Sequence, residues 1–136
     1  MQHLPATQDA PPIVGVIDPD PVARSGLRTL LHGLGVDVST FDSAESYLLA
    51  ANGRHLSCLI VDLLLPGMSG LELLRRLRSA GNDVPVILLA DESDVPTAVA
   101  AMREGATDFI EKPYVDVAVL KQVQKLLHTP PGSANA

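Results

Sequence analysis

Asp18, Asp62, Asp91 and Lys112 are the side chains of this 136-residue chain best suited to metal or phosphoryl chemistry, and each stands just past an apolar run. Asp18 follows IVGVI (13 to 17), Asp62 follows CLIV (58 to 61), Asp91 follows VPVILLA (84 to 90), and Lys112 follows DFIE (108 to 111). Carboxylates that share one crevice repel each other, so the grouping is costly unless a cation stands among them. A hard divalent ion with oxygen ligands, such as Mg²⁺, suits such a set, and a lysine opposite can pair with a carboxylate or hold a phosphoryl oxygen. Metal-assisted phosphoryl transfer is the chemistry these residue types support.

For these residues to meet, the runs that precede them must end side by side. The runs are short, continuous and rich in branched residues, as strands buried on both faces of a parallel sheet are. VDVSTF (36 to 41) alternates more and is read as a further strand. Helix signals fill the intervals. Asp20 then Pro21 is an N-cap followed by proline at the first helical position, and Leu27, Leu30, Leu31 and Leu34 form a stripe closing at Gly35. Asp42 with Glu45, and Ser69 with Glu72, have capping-box spacing. Asp94 precedes a stripe of Val95, Ala98, Val99 and Met102 that closes at Gly105, and Val119, Leu120, Val123, Leu126 and Leu127 make the last one. The pattern predicts an α/β fold of (βα)5 type, a doubly wound parallel sheet with its ligand site at the carboxyl ends of the strands.

Composition narrows the function further. Lys and Arg number 10 against 16 Asp and Glu, a formal charge of −6, which argues against nucleic acid or an anionic membrane as the direct partner of this segment. Two Tyr, two Phe and no Trp argue against base-stacking or flavin pockets. A hydrophobic content of 46% supports a core, and a folded chain of this size buries about 70% of its unfolded surface. No apolar run approaches the ~20 residues of a membrane span and the start lacks a signal peptide's apolar segment, so the expected location is cytoplasmic. Residues 1 to 12 read as a flexible N-terminal tail, 13 to 128 as the domain, and 129 to 136 (TPPGSANA) as a C-terminal linker or tail. Cys58 reads as a core residue, and His3, His32, His55 and His128 lack the spacing of a zinc site. Arg75, Arg76 and Arg78 read as a solvated helix face.

CLIVDLLLPGMSGLELLRRLR (58 to 78) together with DVPTAVAAMREGATDFIEKPY (94 to 114) resembles the receiver domain of two-component response regulators, the CheY-like family, and most nearly FixJ-type receivers. The resemblance covers residues 13 to 128. It implies a flavodoxin-like five-stranded sheet of order 2-1-3-4-5 and a phosphorelay signalling function with no enzymatic activity beyond self-catalysed phosphotransfer and dephosphorylation. Asp62 matches the phosphoacceptor, which takes a phosphoryl group from a sensor histidine kinase, and Lys112 matches the phosphoryl-binding lysine. The metal set would be Asp18, Asp62 and the backbone carbonyl of Leu64, binding Mg²⁺. Phe109 matches the aromatic switch position, and Lys112-Pro113 matches a bond that is cis in the family. The resemblance further implies homodimerisation through the fourth helix, fifth strand and fifth helix, and a DNA-binding output domain outside this chain.

Two positions depart from the family. Pro19 stands where a second metal-binding acid is usual, and Ala90 where a Ser or Thr hydroxyl bonds the phosphoryl group. The first change lowers the charge that tunes such a metal site; the second removes the bond linking phosphorylation to Phe109. Both favour an atypical receiver, a module whose contacts are independent of phosphorylation, over a normally phosphorylated one. Asp20 is a further candidate metal ligand, because Asp18 and Asp20 both precede proline and extended backbone turns alternate side chains the same way. The preferred alternative is that Asp20 caps the following helix. Asp18-Pro19-Asp20-Pro21-Val22 also resembles the D-x-D-x-[TV] motif of haloacid-dehalogenase-type phosphatases, a reading disfavoured by the helix that starts at once after it and by the short chain.

Overall fold

The computed structural model describes residues 11–50 and 55–128. Residues 1–10 of the N-terminal tail expected over 1–12, the C-terminal tail expected over 129–136, and His3 lie outside them. The strands are β1 (Ile13–Ile17), β2 (Asp37–Phe41), β3 (Cys58–Asp62), β4 (Val86–Ala90) and β5 (Asp108–Glu111). The helices are α1 (Pro21–His32), α2 (Ala44–Ala50), α3 (Gly70–Ser79), α4 (Val95–Arg103) and α5 (Asp116–Leu127), with a 3-10 turn over Glu92–Asp94 before α4.

All strand pairs are parallel and the order is β2-β1-β3-β4-β5, as the resemblance implied. Strands β3 and β4 are buried at every position, because both faces of the sheet are covered. On one face Leu59, Val61 and Leu88 pack with Tyr47 of α2, Leu73, Leu74 and Leu77 of α3, and Ala98 and Ala101 of α4. On the other, Val14, Val16, Ile60 and Leu89 pack with Leu27 and Leu31 of α1 and Val119 and Val123 of α5. Each fully buried Leu, Ile or Val contributes about 1.5 to 3 kcal/mol relative to exposure, so the central strands form a stiff platform. The register sets Ile17 beside both Phe41 and Val61, Asp62 beside Leu89, and Ala90 beside Glu111. The carboxyl ends therefore form one edge, and the residues that follow them share it.

Several local readings change. In α2 the cap is Ser43, whose Oγ accepts from the Ser46 N–H, while Asp42 accepts from the Ser46 hydroxyl. Glu45 is not a capping-box partner: its carboxylate accepts instead from the Met68 N–H, 2.8 Å away. Along α4 the buried residues are Ala98 and Ala101, and Val99 and Met102 are 48% and 37% exposed. Small residues let this helix lie close to the sheet, and its larger side chains turn outward. Arg78 is no mere solvated residue. Its guanidinium donates to the carbonyls of Asn82, Val84 and Gly105, joining the turn after α3 to the turn after α4.

Candidate functional site

Asp18 is held by the turn between β1 and α1. Its N–H donates to the Phe41 carbonyl at 3.1 Å, and its own carbonyl accepts from Arg24 Nη1 at 2.7 Å. Its carboxylate Oδ1 accepts from the Asp20 N–H at 2.9 Å. Oδ2 is buried without a hydrogen-bond partner, and the residue as a whole is 1% exposed. Burial pushes the carboxyl above the usual carboxylate range, against the opposing pull of the Asp20 N–H and the Lys112 charge.

Asp62 ends β3 and is 7% exposed. Its Oδ1 accepts from the Leu64 N–H at 3.1 Å and its Oδ2 from Lys112 Nζ at 2.5 Å. The first residue of α3 is Gly70. A Cβ there would come within 2.7 Å of the Asp62 carbonyl oxygen and 3.0 Å of Leu63 Cα, so only glycine lets the helix begin against this backbone. Lys112 is brought to the same edge by β5. Its N–H donates to the Ala90 carbonyl at 2.8 Å, and the Lys112-Pro113 peptide is cis, as the resemblance implied. Its ammonium stands 3.8 Å from Asp18 Oδ2. Partial burial works to lower the lysine's pKa, but the hydrogen bond and charge of Asp62, with the charges of Asp18 and Asp91, prevail and raise it.

The structure thus brings Asp18, Asp62 and Lys112 together, with the Leu64 backbone on the turn beside them and that residue 56% exposed. It does not bring Asp20. That carboxylate accepts from the Val22 N–H at 2.9 Å and caps α1, whose second residue it serves. Pro19 and Asp91 are exposed, although Asp91 is near enough for its charge to act on Lys112. Ala90 is 1% exposed, and the half-buried Phe109 packs against the same cluster.

Among the described residues no group of three or more His, Cys, Asp or Glu is placed to hold a metal ion. The buried Asp18 oxygen without a hydrogen bond and the Asp62 carboxylate, both within reach of Lys112 and with the Leu64 backbone on the adjoining turn, are oxygen donors of the kind that suits one hard cation. Two carboxylates face one ammonium there, leaving a net negative charge for a cation to balance.

A sequence profile of the response regulator receiver domain matches residues 14–124. The chain belongs to that family. Among curated relatives, the transcriptional regulatory protein FixJ of Azorhizobium caulinodans is 41% identical over 114 residues, covering 84% of this chain and 54% of that protein. FixJ of Bradyrhizobium diazoefficiens is 37% identical over 112 residues, covering 82% of this chain and 55% of its own length. This receiver chain therefore spans about half the length of those relatives. Among solved structures, full-length FixJ from B. japonicum superposes with a TM-score of 0.84 at 33% identity, over 93% of this chain and 62% of that one. The receiver domain of NtrX from Brucella abortus does so with 0.80 at 30% identity, over 86% of this chain and 99% of that one.

Membership in this family agrees with the geometry and removes the phosphatase alternative. The acid that would serve as its proton donor, Asp20, is engaged on a helix N-terminus that begins at Pro21. No helix among the described residues is long and apolar enough to cross a membrane. Cys58 is buried in the central strand, its thiol pushed up to about 12 by burial, which suits a core residue.

Two supporting residues escaped the sequence reading. Arg24, one turn into α1, has no motif to mark its contact with the Asp18 carbonyl. Glu45 carried a signal, an acid three residues into a helix start, but that signal pointed to its own helix and not to Met68.

Proposed function

We propose that this receiver domain is an atypical one, a binding module whose contacts with its partners do not depend on phosphorylation of Asp62. The observation that carries this reading is at Ala90. The end of β4 offers no hydroxyl, and Phe109 already packs against the cluster that contains the alanine methyl. A Ser or Thr there would gain a hydrogen bond to a charged phosphoryl group, of ~1.5 to 3 kcal/mol, which could draw the switch loop inward. Ala90 has nothing to gain from a phosphoryl group. Pro19 adds to the argument, since Asp20 caps α1 and does not replace the missing acid.

A second reading, a Mg²⁺-dependent phosphoacceptor, is favoured by the buried Asp18 Oδ2, which accepts no hydrogen bond. In it an Asp62 carboxylate oxygen attacks the phosphorus of a phosphohistidine on a sensor histidine kinase, the P–N bond breaks, and the imidazole leaves. Lys112 transfers its hydrogen bond from Asp62 to a phosphoryl oxygen. Mg²⁺ held by Asp18, Asp62 and the Leu64 carbonyl would supply neutralisation of charge on the transferring group. Phosphorylation would then bias the face made by α4, β5 and α5 toward homodimerisation, where Val99 and Met102 already stand exposed. In both readings the protein acts in the cytoplasm beside a histidine kinase, and regulates transcription through a DNA-binding output domain like those expected of its relatives.

Incubation with acetyl phosphate and Mg²⁺, followed by a phosphate-affinity gel, separates the two. The expected result is no retarded band for the wild-type chain and a Mg²⁺-dependent band for the Pro19→Asp/Ala90→Thr variant, lost again on adding Asp62→Asn. A Mg²⁺-dependent band from the wild type that Asp62→Asn abolishes would establish the second reading in place of the first.

A further inference from the structure

The turn between β3 and α3, residues 63–69, carries the Leu64 carbonyl and follows directly on Asp62. Its start is fixed by the sheet, through the Leu63 N–H on the Leu89 carbonyl at 2.8 Å, and its end by α3, through the Gly70 N–H on the Leu63 carbonyl at 3.0 Å. Between these anchors the chain turns through Gly67, whose φ of 73° lies in the left-handed region. There the Met68 N–H is taken by a residue from another element: Glu45 Oε2, at 2.8 Å, from the first turn of α2. The approach is close. A Cβ on Gly67 would stand 2.6 Å from the same oxygen, so glycine provides the space the carboxylate occupies as well as the turn. Helix α2 is a firm base for this reach, because Ala44 and Tyr47, on either side of Glu45, are buried in the core, and Met68 is itself 8% exposed.

We infer that Glu45 is a positioning residue for the site. Its carboxylate holds the turn so that the Leu64 carbonyl stays at the edge shared by Asp18 and Asp62. The inference rests on the reading of that edge as a cation site, which belongs to the second functional reading above. A hydrogen bond between a carboxylate and a half-buried backbone N–H is of the stronger, charge-assisted kind. Residues that orient metal ligands from behind typically change metal affinity by about 10- to 100-fold when removed. Glu45 acts on one neutral ligand of three, so the low end of that range, about tenfold, is expected.

The test uses the full chain as wild type, Glu45→Gln and Glu45→Ala. Mn²⁺ serves as the probe ion, titrated by water-proton relaxation, and backbone amide exchange is followed by NMR. Glu45→Gln keeps an oxygen that can accept from Met68 and should retain both amide protection and most of the Mn²⁺ affinity. Glu45→Ala should lose protection at the Met68 amide and bind Mn²⁺ about tenfold more weakly, with amides in β1, β3 and β4 as protected as in the wild type. Protection unchanged in Glu45→Ala, or lost with no change in Mn²⁺ affinity, overturns the inference while leaving the cation site intact. General loss of protection through the central strands shows a role in folding and equally overturns it. A wild-type chain that binds no Mn²⁺ overturns the cation site itself and the inference with it.

Discussion

The turns after β1 and after β3 are built alike and end in different states. In each, an aspartate at the strand's carboxyl end accepts through Oδ1 from the N–H two residues on: Asp20 N–H to Asp18 at 2.9 Å, Leu64 N–H to Asp62 at 3.1 Å. The second oxygens differ. Oδ2 of Asp62 has the Lys112 ammonium at 2.5 Å, while Oδ2 of Asp18 has no hydrogen bond and the same ammonium only at 3.8 Å. Lys112 reaches one carboxylate closely and the other only through space. A buried, charged oxygen without a partner is unfavourable, and burial accordingly pushes the Asp18 carboxyl up. The difference shows which carboxylate the protein pairs closely by itself and which keeps an oxygen without a hydrogen bond.

Removing the shared cation breaks the comparison most severely. Lys112→Met leaves both carboxylates buried and facing each other, and should cost about 2 to 3 kcal/mol of stability, read as a lower urea midpoint. Restoring part of that loss by adding Asp62→Asn to the same variant would show that the cost is electrostatic and not one of packing.

The two aspartates should next respond with opposite signs. Asp62→Asn removes the partner of a close ion pair and should destabilise, whereas Asp18→Asn removes a buried charge with one oxygen lacking a hydrogen bond and Lys112 only at 3.8 Å, and should stabilise at pH 7 by about 1 to 2 kcal/mol. The pH dependence follows from the raised Asp18 pKa. The folded state holds that proton more tightly than the unfolded state, whose carboxyl titrates near 3.8. The stabilisation from protonated Asp18 is fully present below that value and is lost as pH rises through the folded pKa. Subtracting the urea stability of Asp18→Asn from that of the wild type should therefore give a difference that falls as pH rises from below 4 toward neutrality. A flat difference would mean that folding does not raise the affinity of the Asp18 carboxyl for its proton.

The smallest effect concerns the acid between them in the first turn. Asp20→Ala should cost ~1 kcal/mol through loss of the α1 cap and leave Mn²⁺ affinity unchanged. A fall in Mn²⁺ affinity would move Asp20 from the helix terminus to the site and make the two turns less alike than their hydrogen bonds suggest.

How much of this was legible in the sequence depended on whether the signal was local. The continuous apolar runs through Ile60 and Leu88 reflect burial on both faces, which is a property of each strand's own residues, and they marked the strands well. Proline at the first turn with aspartate before it marked α1 and its cap for the same reason. The stripe on α4 misled, because Val99 and Met102 have helical spacing but the sheet is approached by Ala98 and Ala101. Periodicity shows that one face of a helix is apolar, and packing distance decides which residues of it go inward. Glu45 failed in another way: capping-box spacing is a local rule, and a carboxylate is equally drawn to any unsatisfied N–H the fold brings near.

The amino-acid sequence by itself determined the family, the alternation of strand and helix, and the residue types at the sheet's carboxyl edge, including the absence of an acid at Pro19 and of a hydroxyl at Ala90. These follow from side-chain chemistry and from hydrophobic patterns along short segments. Only the tertiary structure decided how the charges are paired: that Lys112 goes closely to Asp62 and leaves Asp18 Oδ2 without a hydrogen bond, that Asp20 turns to its helix, and that Glu45 crosses 23 residues of chain to reach Met68. Pairing depends on distances of a few ångströms between groups far apart in the chain, and those distances exist only once the strands have set their register and the helices have packed against them.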